Sequence, residues 1–163
     1  LIRKIQLIGA QNDKALIPIF TFSKDHYYRI FFKCEKGKKR VDKILENHKY
    51  VLYDKKTSKR SISEFNYKKG YEYTGPLWVG ELWDEKLVKL MYKNVDKNNS
   101  KLYKLIFTIK NESKIKTVGY YDLHNLSRIK KLKNVPKFDT ILSKEIVRTH
   151  FSNVSVRSKN IPF

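Results

Sequence analysis

The hydrophobic pattern of this chain changes period near Asp84, and that change restricts the possible folds more than any other feature. Before it, apolar residues gather in short aromatic and β-branched runs: Phe20-Thr21-Phe22, Tyr27-Tyr28-Arg29-Ile30-Phe31-Phe32 and Tyr50-Val51-Leu52-Tyr53. Side chains of this shape pack well on a pleated surface, so the runs predict strands. After it, Leu87, Val88, Met91 and Val95 fall on one face of a helix opened by Asp84. Leu102, Leu105, Ile106 and Ile109 then recur at i, i+3, i+4 and i+7 behind Ser100. Asp84, Ser100 and Asp122 are predicted N-caps, their side-chain oxygens placed to accept from free N–H groups of the first turn. Strands with one helix, then a run of helices, predict an α+β fold.

Within that frame, residues 1–16 read as a short helix on Ile2, Ile5 and Ile8 or Gly9, after which Pro18 forces extended backbone. The run Tyr27–Phe32 is apolar on both faces and is expected at the centre of a sheet. Glu35–Arg40 reads as a turn and charge run, 41–48 as a helix, and 54–70 as a hairpin or loop. Gly75-Pro76-Leu77-Trp78-Val79-Gly80 is expected to be a turn bracketed by glycines. Leu123, Leu126 and Ile129 follow Asp122 on a third helix, and Pro136 opens a fourth with Phe138, Ile141 and Leu142. Residues 147–151 and 154–156 are expected to close the chain as strands. Two helices and a β-ribbon over 121–157 have the outline of a winged helix.

At 163 residues the chain is long enough for one domain, or for two small subdomains sharing a core. Its 36 Lys and Arg against 16 Asp and Glu leave a formal charge of +20, a field that attracts phosphate backbones or an anionic membrane surface. No apolar run approaches the roughly 20 residues of a membrane-spanning helix, and none has the amphipathic, Trp-anchored character of an interfacial one. Cys34 is the sole cysteine. An internal disulfide and a thiolate zinc cluster are therefore impossible, and the residue is expected to be a small apolar group at a strand end in an intracellular protein.

A search for catalytic constellations yields little. The six glycines form no GxGxG or GxxxxGK turn, and His26, His48, His124 and His150 lie on separate elements. Asp25 and His26 are neighbours whose side chains point to opposite faces of a strand. The chain by itself therefore reads as a non-enzyme. Its flat rings interleaved with cations are more telling. Tyr27, Tyr28, Arg29, Phe31, Tyr67, Lys68, Lys69, Tyr71 and Tyr73 have the mixture that stacks bases and neutralises phosphates, although Tyr28 and Phe31 are expected in the core. Lys130, Lys131, Lys133 and Lys137 flank the predicted helix-turn-helix, where phosphate contacts fall.

Four stretches, in order, resemble the C-terminal half of the tRNA guanine-N2 dimethyltransferases that make N2,N2-dimethylguanosine at position 26. Ile17–Phe31 is similar to the family's IxPLLSFSIDHYVRVF, and Gly75–Asp84 to GPLWLGPLHD. Tyr120-Tyr121-Asp122-Leu123-His124 is similar to YYDLH, and Arg148-Thr149-His150-Phe151 to SRTHF. The chain departs from the family pattern in having no paired cysteines between Val51 and Tyr73 and no GIKTDAP after the fourth stretch. No metal is carried over.

The resemblance implies that residues 1–16 are a linker helix leaving an N-terminal methyltransferase domain of the same protein, which would bind S-adenosylmethionine and hold the chemistry. Residues 17–163 would be a tRNA-binding domain, β-rich over 17–80 and helical or winged over 81–163. Its expected RNA-binding residues are Arg29, Lys68, Lys69, Lys130, Lys131, Lys137, Arg148, His150 and Arg157, with tRNA as partner and no cofactor on this chain. A free-standing winged-helix nucleic-acid-binding protein is the alternative.

Overall fold

A computed structural model of the chain describes residues 1–24, 26–57 and 60–114, together with 118, 127, 128, 131 and 133. These residues are α+β, with four helices, a two-stranded sheet and a three-stranded sheet. They divide into two compact units, the first holding residues 1–18 and 32–80 and the second 19–31 and the described residues from Glu81 onward.

The first unit begins with α1 (Ile2–Ala10), which stops well short of the helix expected over 1–16. Asp13, at a φ of 53°, turns the chain, and β1 (Lys14–Lys24) begins at once. The buried face of α1 is Ile2, Gln6 and Gly9, while Ile8 is exposed, so Gly9 and not Ile8 ends the expected stripe. Gln6 holds this face in place. Its Nε2 donates to the Leu16 carbonyl at 3.0 Å, and its Oε1 lies 2.8 Å from His48 Nε2.

Gly37 opens α2 (Lys38–Leu45), three residues ahead of the predicted start. Its φ of 136° is a conformation open to glycine, and its N–H donates to the Asp13 carbonyl at 2.8 Å. Val41 and Ile44 then pack against Ala15, with Ile17, Leu45 and Trp78 around them. β3 (His48–Tyr53) lies between β4 (Arg60–Ser63) and β5 (Glu72–Trp78), antiparallel to both. With a neighbour on each side, β3 buries Val51, Leu52 and Tyr53 in succession.

Of the segment expected as a glycine-bracketed turn, residues 75–78 are the second half of β5. Gly75 sits where the β3–β5 register shifts between Lys49 and Val51, at a φ of 124° and before a cis peptide bond to Pro76. A Cβ there would meet the Lys49 carbonyl at 2.9 Å. At Gly80 a Cβ would lie 2.3 Å from the Trp78 ring. The two glycines thus serve packing, one for a close strand approach and one as a bed for the indole.

The second unit is built on α3 (Glu85–Asn94) and α4 (Ser100–Glu112), which pack together. Phe20, Trp83, Val88, Ile106 and Ile109 are its core. The Trp83 indole N–H donates to the Thr21 carbonyl at 2.7 Å, and the Asp84 N–H to the Ile19 carbonyl at 2.8 Å. Asp84 caps α3 as predicted, accepting from the N–H groups of Lys86 and Leu87 at 2.8 and 3.0 Å. Asn99, not Ser100, caps α4, through Leu102 N–H at 3.1 Å.

β2 (Tyr27–Lys36) pairs with β1 among the described residues. Burial alternates along it, so Tyr27, Arg29 and Phe31 share an exposed face, and Phe31 is 49% exposed instead of core. Cys34, further along the strand, is exposed and not buried. The helices expected after Asp122 and Pro136 and the closing β-ribbon lie outside the described residues.

Candidate nucleic-acid interface

Two surfaces bring rings and cations together, one in each unit. In the second unit, alternation along β2 places Tyr27, Arg29 and Phe31 on the same side of the strand. The Arg29 guanidinium carbon lies 5.6 Å from the Tyr27 ring centroid. Phe22 packs against that tyrosine at 6.3 Å and Phe20 against Phe31 at 6.2 Å, so both exposed rings are backed by aromatic packing. The result is a ring–cation–ring stripe.

In the first unit, the connection from β4 to β5 has the sequence Glu64-Phe65-Asn66-Tyr67-Lys68-Lys69-Gly70-Tyr71. Lys49 forms an ion pair with Glu64 at its start. At its end the Tyr71 N–H donates to the Lys68 carbonyl at 3.0 Å, with Gly70 at a φ of 82°, and Lys68 Nζ lies 4.2 Å from the Tyr71 ring centroid. Phe65 and Tyr67 are 75% and 78% exposed. Beyond the loop, Tyr73 meets Tyr50 edge to face at 6.1 Å.

Electrostatics separates the cations of these surfaces from others in the chain. Lys33 and Arg40 pair with Glu35, Lys55 with Glu72 and Lys89 with Glu85. The Lys33 ammonium, by hydrogen bond and charge, holds the Glu35 carboxyl below its usual range, and Lys89 does the same for Glu85. Arg29, Lys68 and Lys69 face no carboxylate among the described residues, which leaves their charge available to an outside anion.

Of the residues expected to bind RNA, the structure places Arg29 in the stripe on β2 and Lys68 and Lys69 in the loop. Lys131 is exposed at a φ of 51°. Lys130, Lys137, Arg148, His150 and Arg157 lie outside the described residues. Phe65 was missed, because a lone phenylalanine among polar residues carries no period. Its exposure shows only once β4 and β5 are in place.

Among the described residues no group of three or more His, Cys, Asp or Glu could hold a metal ion, and no helix is long and apolar enough to cross a membrane.

Uncompensated cations beside exposed rings, on a strongly basic α+β chain, are the chemistry of proteins that handle nucleic acid. Comparison with known proteins narrows this class to a family. The sequence profile of the N2,N2-dimethylguanosine tRNA methyltransferases matches residues 1–162, and the chain belongs to that family. It is 34% identical to the tRNA (guanine(26)-N(2)/guanine(27)-N(2))-dimethyltransferase of Aquifex aeolicus, across 100% of this chain and 45% of that protein. It is 30% identical to the tRNA (guanine(26)-N(2))-dimethyltransferase of Methanocaldococcus jannaschii, across 97% of this chain and 44% of that one. A solved structure of Trm1 from Pyrococcus horikoshii in complex with S-adenosyl-L-methionine superposes with a TM-score of 0.71 at 29% identity, over 88% of this chain and 39% of its own. The chain thus spans somewhat under half the length of these relatives.

The described residues do not fit S-adenosylmethionine. A nucleotide-type pocket forms where parallel strands run into glycine-rich turns ahead of helices. The three-stranded sheet here is antiparallel, and two residues between β1 and β2 are too few for a parallel crossover. Gly37 does join a strand to a helix. Its N–H, however, is occupied by the Asp13 carbonyl, and Lys38-Lys39-Arg40 follow in place of further glycines.

Proposed function

We propose that this chain is the tRNA-holding C-terminal domain of an S-adenosylmethionine-dependent tRNA guanine-N2 dimethyltransferase acting at position 26. The methyl donor and the substrate guanine are held by another domain of the same protein. The observation that carries the reading is a family match over residues 1–162 in a chain whose described residues supply cations and rings but no donor pocket. Methyl transfer needs the exocyclic amine, methyl carbon and sulfur in line, and binding energy gathered far from the reacting atoms can maintain that alignment. A catalytic domain that takes the guanine out of the stack gains from a partner that grips the rest of the tRNA. Arg29, Lys68, Lys69 and Lys131 are the described residues assigned to that grip, and Lys130, Lys137, Arg148, His150 and Arg157 complete the set.

Fluorescence anisotropy of the 163-residue chain with a labelled tRNA transcript and with duplex DNA of similar length tests the reading. Preferential binding of tRNA is expected, with no methyl incorporation from labelled S-adenosylmethionine by this chain alone. Preference for duplex DNA, or methyl transfer by the chain itself, overturns it.

A further inference from the structure

We infer that the β4–β5 loop is a stacking platform for unpaired nucleotides, with Phe65 and Tyr67 as the rings and Lys68 and Lys69 as the phosphate contacts; this deepens the RNA-holding reading and rests on it. Two aromatic side chains three-quarters exposed and one residue apart are not explained by the packing of the unit that carries them. The core there is Ala15, Val41 and Ile44 with Trp78, and it includes neither ring.

The loop is shaped before any partner arrives. At its entry the Phe65 N–H donates to Ser63 Oγ at 3.0 Å, next to the Lys49–Glu64 ion pair. At its exit the Lys68–Tyr71 turn closes on Gly70. A surface fixed in this way loses little conformational freedom on binding.

Charge and chemistry select the occupant. Glu64 is the loop's one acid and is already paired, so Lys68 and Lys69 present a net positive edge beside the rings. An apolar protein partner would use the rings and leave two cations to be desolvated. An unpaired nucleotide uses both, since each base offers a π-face and each linkage a phosphate. Paired bases are stacked on their own neighbours and cannot receive a ring, so the platform discriminates loops and bulges from helices.

The test uses the 163-residue chain and its Phe65→Ala/Tyr67→Ala and Lys68→Ala/Lys69→Ala variants. Each is titrated with a tRNA transcript carrying its loops, an unstructured oligouridine and a blunt RNA duplex. Loss of both rings is expected to weaken tRNA and oligouridine binding at least tenfold, to leave duplex binding unchanged, and to leave the salt dependence unaltered. Loss of both lysines is expected to weaken tRNA and oligouridine binding and to flatten the salt dependence by about 1.4 in log–log slope, at about 0.7 per cation on a single strand. Phe65→Tyr/Tyr67→Phe, which keeps two flat rings, is expected to bind as the parent does and serves as the folding control. Parental chain that binds tRNA, with a ring-less variant that binds it equally well, overturns the platform and leaves the RNA-holding reading standing. Equal loss on the duplex also overturns it, since stacking cannot act there. Parental chain that binds none of the three RNAs overturns both.

Discussion

His48 shows how one side chain can link distant parts of the sequence. Gln6 uses its amide nitrogen on the Leu16 carbonyl, so its oxygen is left to accept, and His48 Nε2 must donate to it. Burial, reinforced by the Arg3 charge, holds the His48 pKa below the ordinary 6.5. The neutral ring is therefore favoured in the folded state, and the unfolded chain takes up its proton first as pH falls. Stability from this group is fully present above about pH 6.5 and is lost as pH drops from there through the folded pKa. Urea unfolding between pH 7.5 and 5 should show the midpoint falling on the acid side. An NMR titration should place the His48 pKa below the ordinary 6.5, and Arg3→Ala should move it upward. A midpoint that rises on acidification would contradict the assignment. None of this was legible in the sequence, where His48 stood only as an isolated histidine at the end of an expected helix.

Elements were legible to the extent that their signals are local. The α3 cap was readable because an Asp ahead of an apolar stripe acts within its own turn. Asp84→Ala should therefore lower stability by about 1 kcal/mol, since two first-turn N–H groups lose their acceptor. Chemical denaturation would detect this, and an unchanged midpoint would show that the cap is dispensable. The β5 strand was not readable, because Gly and Pro signal a turn locally. Their use here depends on where β3 lies: Gly75 admits the Lys49 carbonyl, and Gly80 seats the Trp78 ring. β2 misled in the opposite direction. Its apolar residues predicted Phe31 in the core, yet Tyr27 and Phe31 face outward beside Arg29, and composition alone does not distinguish a ring kept for packing from one left exposed.

For the whole molecule, charge was the most readable property and position the least. An excess of cations is visible in composition, but which of them are already paired with carboxylates is visible only in three dimensions. On the RNA-holding reading, binding is driven substantially by counterion release. The logarithm of the tRNA association constant should then fall linearly with the logarithm of salt, with a slope of about −4 for six phosphates neutralised at about 0.7 each. A slope near zero between about 50 and 200 mM salt would show that the +20 charge contributes little to binding. The candidate surfaces were legible in part: Arg29, Lys68 and Lys69 stood out through their neighbours in sequence, whereas the exposure of Phe65 emerged only with the sheet.

The exposed position of Cys34 has a consequence of its own. Within these 163 residues the accessible thiol has no second cysteine to pair with, and under air two copies of this chain can become covalently joined through it. Such a pair would present every basic surface twice on one particle, and a long RNA engaged at both ends would be held with an avidity that neither copy has by itself.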